Sequence, residues 1–310
     1  MSNIVIVDGN NLVYASNCAM RLHTSDDFPT QAIKGFFNSL RSYAKKFQPD
    51  KIFVVWDGGK SKARMELCPD YKANRDVEKT PQDQMVYEEF LMQIPLIKKA
   101  ILDLGIYSCS GTGVEGDDLA GMLARMAEKL GKKAIICSSD KDFFQLVNDA
   151  ISVYNIINRG KKERLTTLEN MEELHGLPPE QWLEFKAMLG DKSDNILGIN
   201  GIGEVTGINI MKRFGSIDGL ALDQASETPT KIGKREQRLL ENANRELVER
   251  NIKMMDLHNP TGNFSTVKVV CQEPNFPSLR EFFKEYELKS FYLEFNSWVS
   301  DFNSIRTVET

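Results

Sequence analysis

The chain has 310 residues and a formal net charge of −5, with 41% hydrophobic and 27% charged residues; these values exclude a disordered or membrane-spanning class and allow one large domain or two smaller ones. No apolar run approaches the roughly 20 residues of a spanning helix. The N-terminus enters a strand pattern at once instead of offering a signal peptide, so a cytoplasmic protein is expected.

Ile4 to Val7 is an unbroken aliphatic run ending in Asp8-Gly9-Asn10-Asn11, which predicts a buried strand followed by a turn. A helix is expected from Thr30 to Phe47, with Ile33, Phe36, Phe37 and Leu40 as its apolar stripe and Pro49 beyond its end. Lys51 to Trp56 predicts a second buried strand, again followed by an acid and glycine, Asp57-Gly58-Gly59. A basic segment follows, with Lys60, Lys62, Arg64, Tyr71, Lys72 and Arg75. Its default reading is a solvated loop, and its functional one is an electropositive surface that holds phosphates while Tyr71 stacks on a base. Asp76 to Asp83 is polar without an apolar face. Gln84 to Leu104 is helical in pattern, with Pro95 expected to break or kink it, and such a poorly buried insertion suits a gate over a site.

Two acidic groups come next. Glu115 and Asp118 share a face if a helix has begun, with Asp117 beside them. Helix capping explains one or two such acids. Asp140 and Asp142 follow the apolar run Ala134 to Cys137, at the carboxyl end of a buried parallel strand, where open α/β sheets place their ligands. Like charges this close raise each other's pKa unless a cation neutralises them. The whole set therefore predicts a hard divalent cation site. The three histidines, His23, His175 and His258, and five cysteines, Cys18, Cys68, Cys109, Cys137 and Cys271, lack the spacing of a zinc site or a disulfide framework.

Ile151 to Asn155 suggests a strand and Leu168 to Leu174 a short helix. Trp182 to Leu189 is a helix with Trp182, Phe185 and Leu189 on one face. Asp191 and Asp194 follow, then glycines at 198, 201 and 203, before the amphipathic stretch from Gly207 to Phe214. Glycines between two helices predict a tight hairpin whose backbone N–H groups hold a phosphate without reading a base. Ser226 to Thr230 reads as a loop and Lys231 to Arg250 as a surface helix. Pro277 to Phe295 is an apolar-faced helix expected to return to the body, with looser residues after Val299.

Asp8, Asp57 and Asp140 each follow an apolar strand, and helical patterns separate the strands. That grammar predicts an α/β fold with a parallel-rich central sheet flanked by helices. The negative net charge does not oppose a nucleic-acid partner, because acids concentrated in a metal site lower the total while binding faces stay basic.

In order along the chain, Ile-Val-Asp8-Gly-Asn-Asn, Val-Trp-Asp57-Gly, Tyr71-Lys72-Ala-Asn-Arg75, Val-Glu115-Gly-Asp117-Asp118, Ser-Ser-Asp140-Lys-Asp142 and Gly190-Asp191-Lys-Ser-Asp194-Asn195 together resemble the motifs of the phage and bacterial 5′ nucleases, or flap endonucleases. That family includes the N-terminal domain of DNA polymerase one. The resemblance implies a PIN-like nuclease core over residues 1–180, with a helical arch at about 72–104, and a C-terminal helical region over 181–310 with a helix-hairpin-helix at about 185–214. It implies two divalent ions, Mg²⁺ with Mn²⁺ as substitute, about 4 Å apart, held by Asp8, Asp57, Glu115, Asp117, Asp118, Asp140, Asp142, Asp191 and Asp194. Lys72 becomes the lysine on the scissile phosphate, Arg75 a second charge stabiliser, Tyr71 the stacking residue, and Arg64 a DNA contact. Gly198, Gly201 and Gly203 would bind the duplex backbone, with K⁺ on nearby carbonyls.

The activity so implied is 5′-3′ exonuclease and flap endonuclease cleavage of branched or nicked duplex DNA and RNA–DNA hybrids in replication, RNase H action included. A monomer is expected, with a single-strand-binding protein or sliding clamp as partners. The chain departs from the family pattern at Gly116, where alanine is usual, and in a sparsely basic arch with Lys79, Lys98 and Lys99. No polymerase follows, so a free-standing phage-type enzyme in the host cytoplasm is expected. A small-molecule phosphatase using Asp140 and Asp142, and a non-catalytic DNA-junction binder, are the competing readings.

Overall fold

Each aliphatic run becomes a strand of one sheet. The computed structural model describes residues 3–76, 80–156 and 165–305; Lys79 lies outside them. β1 (Asn3–Asp8) runs straight into α1 (Gly9–Ala19), and after α2 (Gln31–Phe47) the chain returns as β2 (Lys51–Trp56). A short α3 (Lys62–Leu67) and the long α4 (Pro81–Ala100) precede β3 (Tyr107–Ser110), α5 (Gly116–Lys129), β4 (Lys133–Cys137), β5 (Ile151–Tyr154) and β6 (Leu165–Thr166). The helical part holds α6 (Met171–His175), α7 (Pro179–Leu189), the small hairpin β7 (Gly190–Asp191) and β8 (Ile196–Leu197), then α8 (Glu204–Phe214), α9 (Ile217–Gln224), α10 (Lys234–Leu239) and α11 (Asn242–Met255). The chain then comes back to the sheet as β9 (Lys268–Val270) and ends in α12 (Phe276–Glu285), α13 (Lys289–Tyr292) and α14 (Phe295–Ser300).

The sheet order is β6-β5-β4-β1-β2-β3-β9. Its five inner strands are mutually parallel, and β6 and β9 close the edges antiparallel. β1 lies between β4 and β2, so Val7 sits beside both Val54 and Cys137 on neighbouring strands about 5 Å apart. Alternation along β1 and β2 sends side chains to two cores. Ile4, Ile6 and Val55 meet Leu119, Ala120 and Ala124 of α5 on one face, with Trp182 and Phe185 of α7 in the same core. Val5, Val7, Val54 and Trp56 meet Ile33, Phe36, Phe37 and Leu40 of α2 on the other, together with Leu279, Phe283 and Trp298 from the C-terminal helices. Burying each of the Val, Leu, Ile and Phe side chains contributes about 1.5–3 kcal/mol, and coverage of both faces is why the strands read as continuous apolar runs.

Several expectations change in detail. α4 runs through Pro95 as one helix. It is not a loose insertion over its second half, since Glu89, Phe90, Gln93, Ile97 and Ala100 are buried. Gln93 Oε1 accepts the Ala32 and Ile33 amides at 2.9 and 3.2 Å, capping α2 from a distance, and Arg21 pairs with Glu89 at 2.7 Å. The expected helix over Lys231 to Arg250 is two, α10 and α11. The tail does pack on the sheet, but as three helices, with Glu287 at φ +53° in the first break. Phe302 is buried in that core, so the residues just after Val299 are held in place.

Candidate active site

Asp8, Asp57 and Asp140 sit at the carboxyl ends of β1, β2 and β4, side by side on one edge of the sheet. Asp8 ends its strand by capping α1, with Oδ1 accepting the Asn11 amide at 3.1 Å while Oδ2 accepts Ser138 Oγ at 3.0 Å. Ser138 Oγ also accepts the Asp140 amide at 3.1 Å, so one hydroxyl joins the two acids. Asp140 in turn caps a short 3₁₀ turn, with Oδ1 accepting the Asp142 amide at 2.8 Å. Asp57 Oδ1 accepts the Gly116 amide at 2.7 Å, and a Cβ on residue 116 would lie 3.1 Å from that oxygen. Gly116 thus lets the carboxylate approach the start of α5 closely, which gives this departure from alanine a packing reason.

Glu115 is buried at the N-cap of α5, where it gathers donors: Ser61 N at 2.9 Å on Oε1, with Tyr71 Oη at 2.7 Å and Lys72 Nζ at 2.5 Å on Oε2. Asp194 accepts Arg75 Nη2 at 2.5 Å, with Lys72 Nζ at 3.7 Å. Asp191 Oδ1 is held by the Ser193 amide and hydroxyl at 2.7 and 2.6 Å. Asp117, Asp142, Asp191 and Asp194 line one cleft together with Arg64, Tyr71 and Met254.

Burial and charge crowding act strongly here. Burial, and then the Asp57 charge, raises the Asp8 pKa to about 7. Burial and Asp142 raise Asp140 to about 8. Burial also raises Asp142 and Asp117 against the cations near them, Lys186 and Arg64. Glu115 goes the other way, since Lys72 and Arg64 outweigh its burial. The donor set is all carboxylate oxygen, the chemistry of hard divalent ions. Among the described residues no three of these acids already form an ion-holding group, because lysine and arginine occupy several of them. Buried carboxyls raised in this way are groups whose charge a hard divalent ion would stabilise.

Three sequence expectations need correction. Arg64 does not face DNA: it is 2% exposed and grips Asp118 with two hydrogen bonds of 2.9 and 2.8 Å. Asp118 is fully buried with both oxygens taken, so its charge is met without an ion. Tyr71 is 3% exposed and orients Glu115, which leaves its ring unavailable to a base. The reading from sequence also missed Lys186, whose Nζ lies 2.8 Å from Asp142 Oδ1 and 3.9 Å from Asp191. A lysine one turn beyond Trp182, on the face shared with Phe185 and Leu189, was the available signal. Asn10 and Asn11 are further supports: Asn10 Oδ1 accepts the Asp57 amide at 3.1 Å, and Asn11 Oδ1 accepts Ser139 Oγ at 2.7 Å.

Below the carboxylates, α7, the β7–β8 hairpin and α8 form the predicted helix-hairpin-helix shape. A Cβ on Gly198 would lie 1.9 Å from the Leu189 carbonyl, so only glycine lets the hairpin close on α7. Gly201 has φ +86°, and Gly203 is exposed at the N-cap of α8. Thr206, Asn209, Lys212, Arg213 and Arg235 line a groove between α8 and α10.

This arrangement has relatives. Residues 3–176 match the family model for the 5′-3′ exonuclease N-terminal resolvase-like domain, and residues 177–275 that for the 5′-3′ exonuclease C-terminal SAM fold. The chain belongs to the 5′-3′ exonuclease family. The 5′-3′ exonuclease of Aquifex aeolicus is 33% identical over 296 residues, 95% of each chain. The thermostable DNA polymerase I of Thermus filiformis is 33% identical over 94% of this chain, which spans 33% of that polymerase's length. Among solved structures, the bacteriophage T5 flap endonuclease complex with DNA and metal ions has a TM-score of 0.66 at 26% identity, covering 96% of this chain and 99% of that one. The T5 5′-exonuclease with bound zinc has a TM-score of 0.68 at 26% identity, over 98% and 99%. Family membership favours neither the phosphatase nor the non-catalytic binder. Among the described residues no helix is long and apolar enough to cross a membrane.

Proposed function

We propose that the chain is a divalent-metal-dependent, structure-specific 5′ nuclease that cleaves branched or nicked duplex DNA and RNA–DNA hybrids in replication, as 5′-3′ exonuclease and flap endonuclease, with RNase H action on primers. The observation that carries this reading is the convergence of Asp8, Asp57 and Asp140 on one sheet edge, in a chain of a nuclease family. Asp8, Asp57, Glu115, Asp117, Asp140, Asp142, Asp191 and Asp194 are the ligands for two Mg²⁺ ions, with Mn²⁺ as substitute, while Asp118 serves Arg64. When bound, the ions supply an activated water and charge neutralisation at the phosphate.

The chain's own residues do the positioning. Lys72 and Arg75 neutralise Glu115 and Asp194; with an ion on those carboxylates, the ammonium and guanidinium would be free to meet the scissile phosphate, Arg75 as a two-pronged donor. Tyr71 holds Glu115 in register. The groove between α8 and α10 and the exposed turn at Gly201 and Gly203 offer basic side chains and backbone amides to the duplex phosphates, the sequence-independent part of recognition. Potassium at that turn would compete with Arg238, whose Nη1 donates to the Asn200 carbonyl at 2.9 Å. The reading divides the chain into a nuclease core, residues 1–180, and a DNA-binding region, 181–310. It has the protein act as a cytoplasmic monomer beside a single-strand-binding protein or sliding clamp.

Product mapping on a 5′-end-labelled flap duplex and a nicked RNA–DNA hybrid, with Mg²⁺ and with EDTA, tests it. Metal-dependent cuts near the single-strand junction, or stepwise from the 5′ end, are expected. Cleavage that survives Asp140→Asn combined with Asp142→Asn would remove the active-site assignment.

A further inference from the structure

The cations around the carboxylates are nearly all committed. Arg64 is on Asp118, Lys72 on Glu115, Arg75 on Asp194 and Lys186 on Asp142. Lys98, near the end of α4, is different. Among the described residues it makes no hydrogen bond or ion pair, and its Nζ lies 4.9 Å from the centre of the Trp56 ring. That indole is a fixed floor, since it is fully buried, stacks on Phe36 at 6.0 Å, and donates from Nε1 to Ser108 Oγ at 3.0 Å. The next residue in the chain is Asp57.

A half-buried ammonium without a counter-ion is a net cost to the fold, because burial disfavours its charge and the π face returns only part of the loss. Burial indeed holds Lys98 below the usual lysine range, with Asp57 the charge that opposes it. An anion arriving beside Asp57 would supply the missing partner, and the substrate brings phosphates to that place. The flank of α4 that carries Lys98 continues outward with Leu91 and Tyr87, both exposed, over about 16 Å of helix. Lys99, the next residue, is exposed.

We propose that Lys98 is a further substrate-contacting residue, whose ammonium holds a non-bridging oxygen of the phosphate next to the scissile one, on the single-stranded 5′ side. The proposal rests on the nuclease reading. It also gives a sparsely basic arch one cation where the strand enters the site.

The test is single-turnover cleavage of a flap substrate by wild type, Lys98→Met and Lys98→Arg, with thermal melting of each. Methionine keeps an apolar stem over Trp56 and removes only the charge. Loss of one charged phosphate contact predicts a slowing of roughly ten- to a hundredfold in Lys98→Met, with a melting temperature equal to or above that of wild type and recovery of most of the rate in Lys98→Arg. A neutral methylphosphonate at the contacted linkage should slow the wild type by a similar factor and Lys98→Met no further. Wild-type cleavage rates in Lys98→Met, or methylphosphonate and Lys98→Met effects that multiply at every linkage, would overturn the assignment. A wild type that cuts no flap would instead bring down the nuclease reading beneath it.

Discussion

Arg64 and Asp118 face each other as a two-pronged pair, Nη1 to Oδ2 at 2.9 Å and Nη2 to Oδ1 at 2.8 Å, with Arg64 Nε donating to the Met254 carbonyl at 2.7 Å. The pair ties α3 and α5 to the end of α11. Arg64→Ala leaves a buried carboxylate without its partner, which should lower the unfolding free energy by about 3–5 kcal/mol. Arg64→Lys should recover little, because an ammonium cannot make the paired contacts and reach Met254 as well. Urea unfolding measures both, and a loss in Arg64→Ala as small as that of a surface pair, under about 1 kcal/mol, would contradict this role.

The raised carboxyls set a pH dependence for the metal-free protein. Asp8 titrates near 7 and Asp140 near 8, against an ordinary value of 3.8. A carboxyl raised on folding contributes stability that is present below its unfolded pKa and lost as pH rises through the folded one. Melting temperature in EDTA should therefore fall between pH 6 and pH 8. Saturating Mg²⁺ should raise it more at pH 8, where fewer protons must leave the ligands. Equal metal-induced shifts at the two pH values would count against these acids as ligands.

Lys186 stands where positive charge is needed when no ion is bound, 2.8 Å from Asp142. Lys186→Met should destabilise the metal-free protein by about 1–3 kcal/mol, the cost of leaving a buried acceptor unmatched. Mg²⁺ should close much of the gap to wild type. Calorimetry with and without Mg²⁺ decides, and a gap unaltered by the metal would mean that Lys186 serves packing alone.

At the hairpin turn, Arg238 donates to the Asn200 carbonyl, an oxygen that the proposed potassium ion would otherwise take. Replacing K⁺ by Na⁺ at constant ionic strength should leave duplex affinity of the wild type nearly unchanged and weaken Arg238→Ala by a larger factor. Fluorescence anisotropy with a labelled duplex reads this directly. A wild type already sensitive to the exchange would show that Arg238 does not fill the role.

The strands, the acids behind them and the glycine turn were legible in the sequence because their signals are local. An aliphatic run followed by Asp-Gly marks Asp8 and Asp57 wherever the strands end up, and the same logic marked Asp140. Sequence order could not say that β1 lies between β4 and β2, which makes Asp8 the central acid of the three. Nor could it say which charges meet. Arg64 and Tyr71 read as surface groups in a basic segment, yet chain packing brings them to Asp118 and Glu115, 54 and 44 residues away, where the carboxylates' need for counter-charge in a dry interior outweighs the cost of burying them. Lys186 reached Asp142 in the same way, across the contact of α7 with the turn after β4. Residue type and local pattern marked the candidate acids, whereas the tertiary structure decided which charges neutralise one another and which, like Lys98, have no ion-pair partner among the described residues.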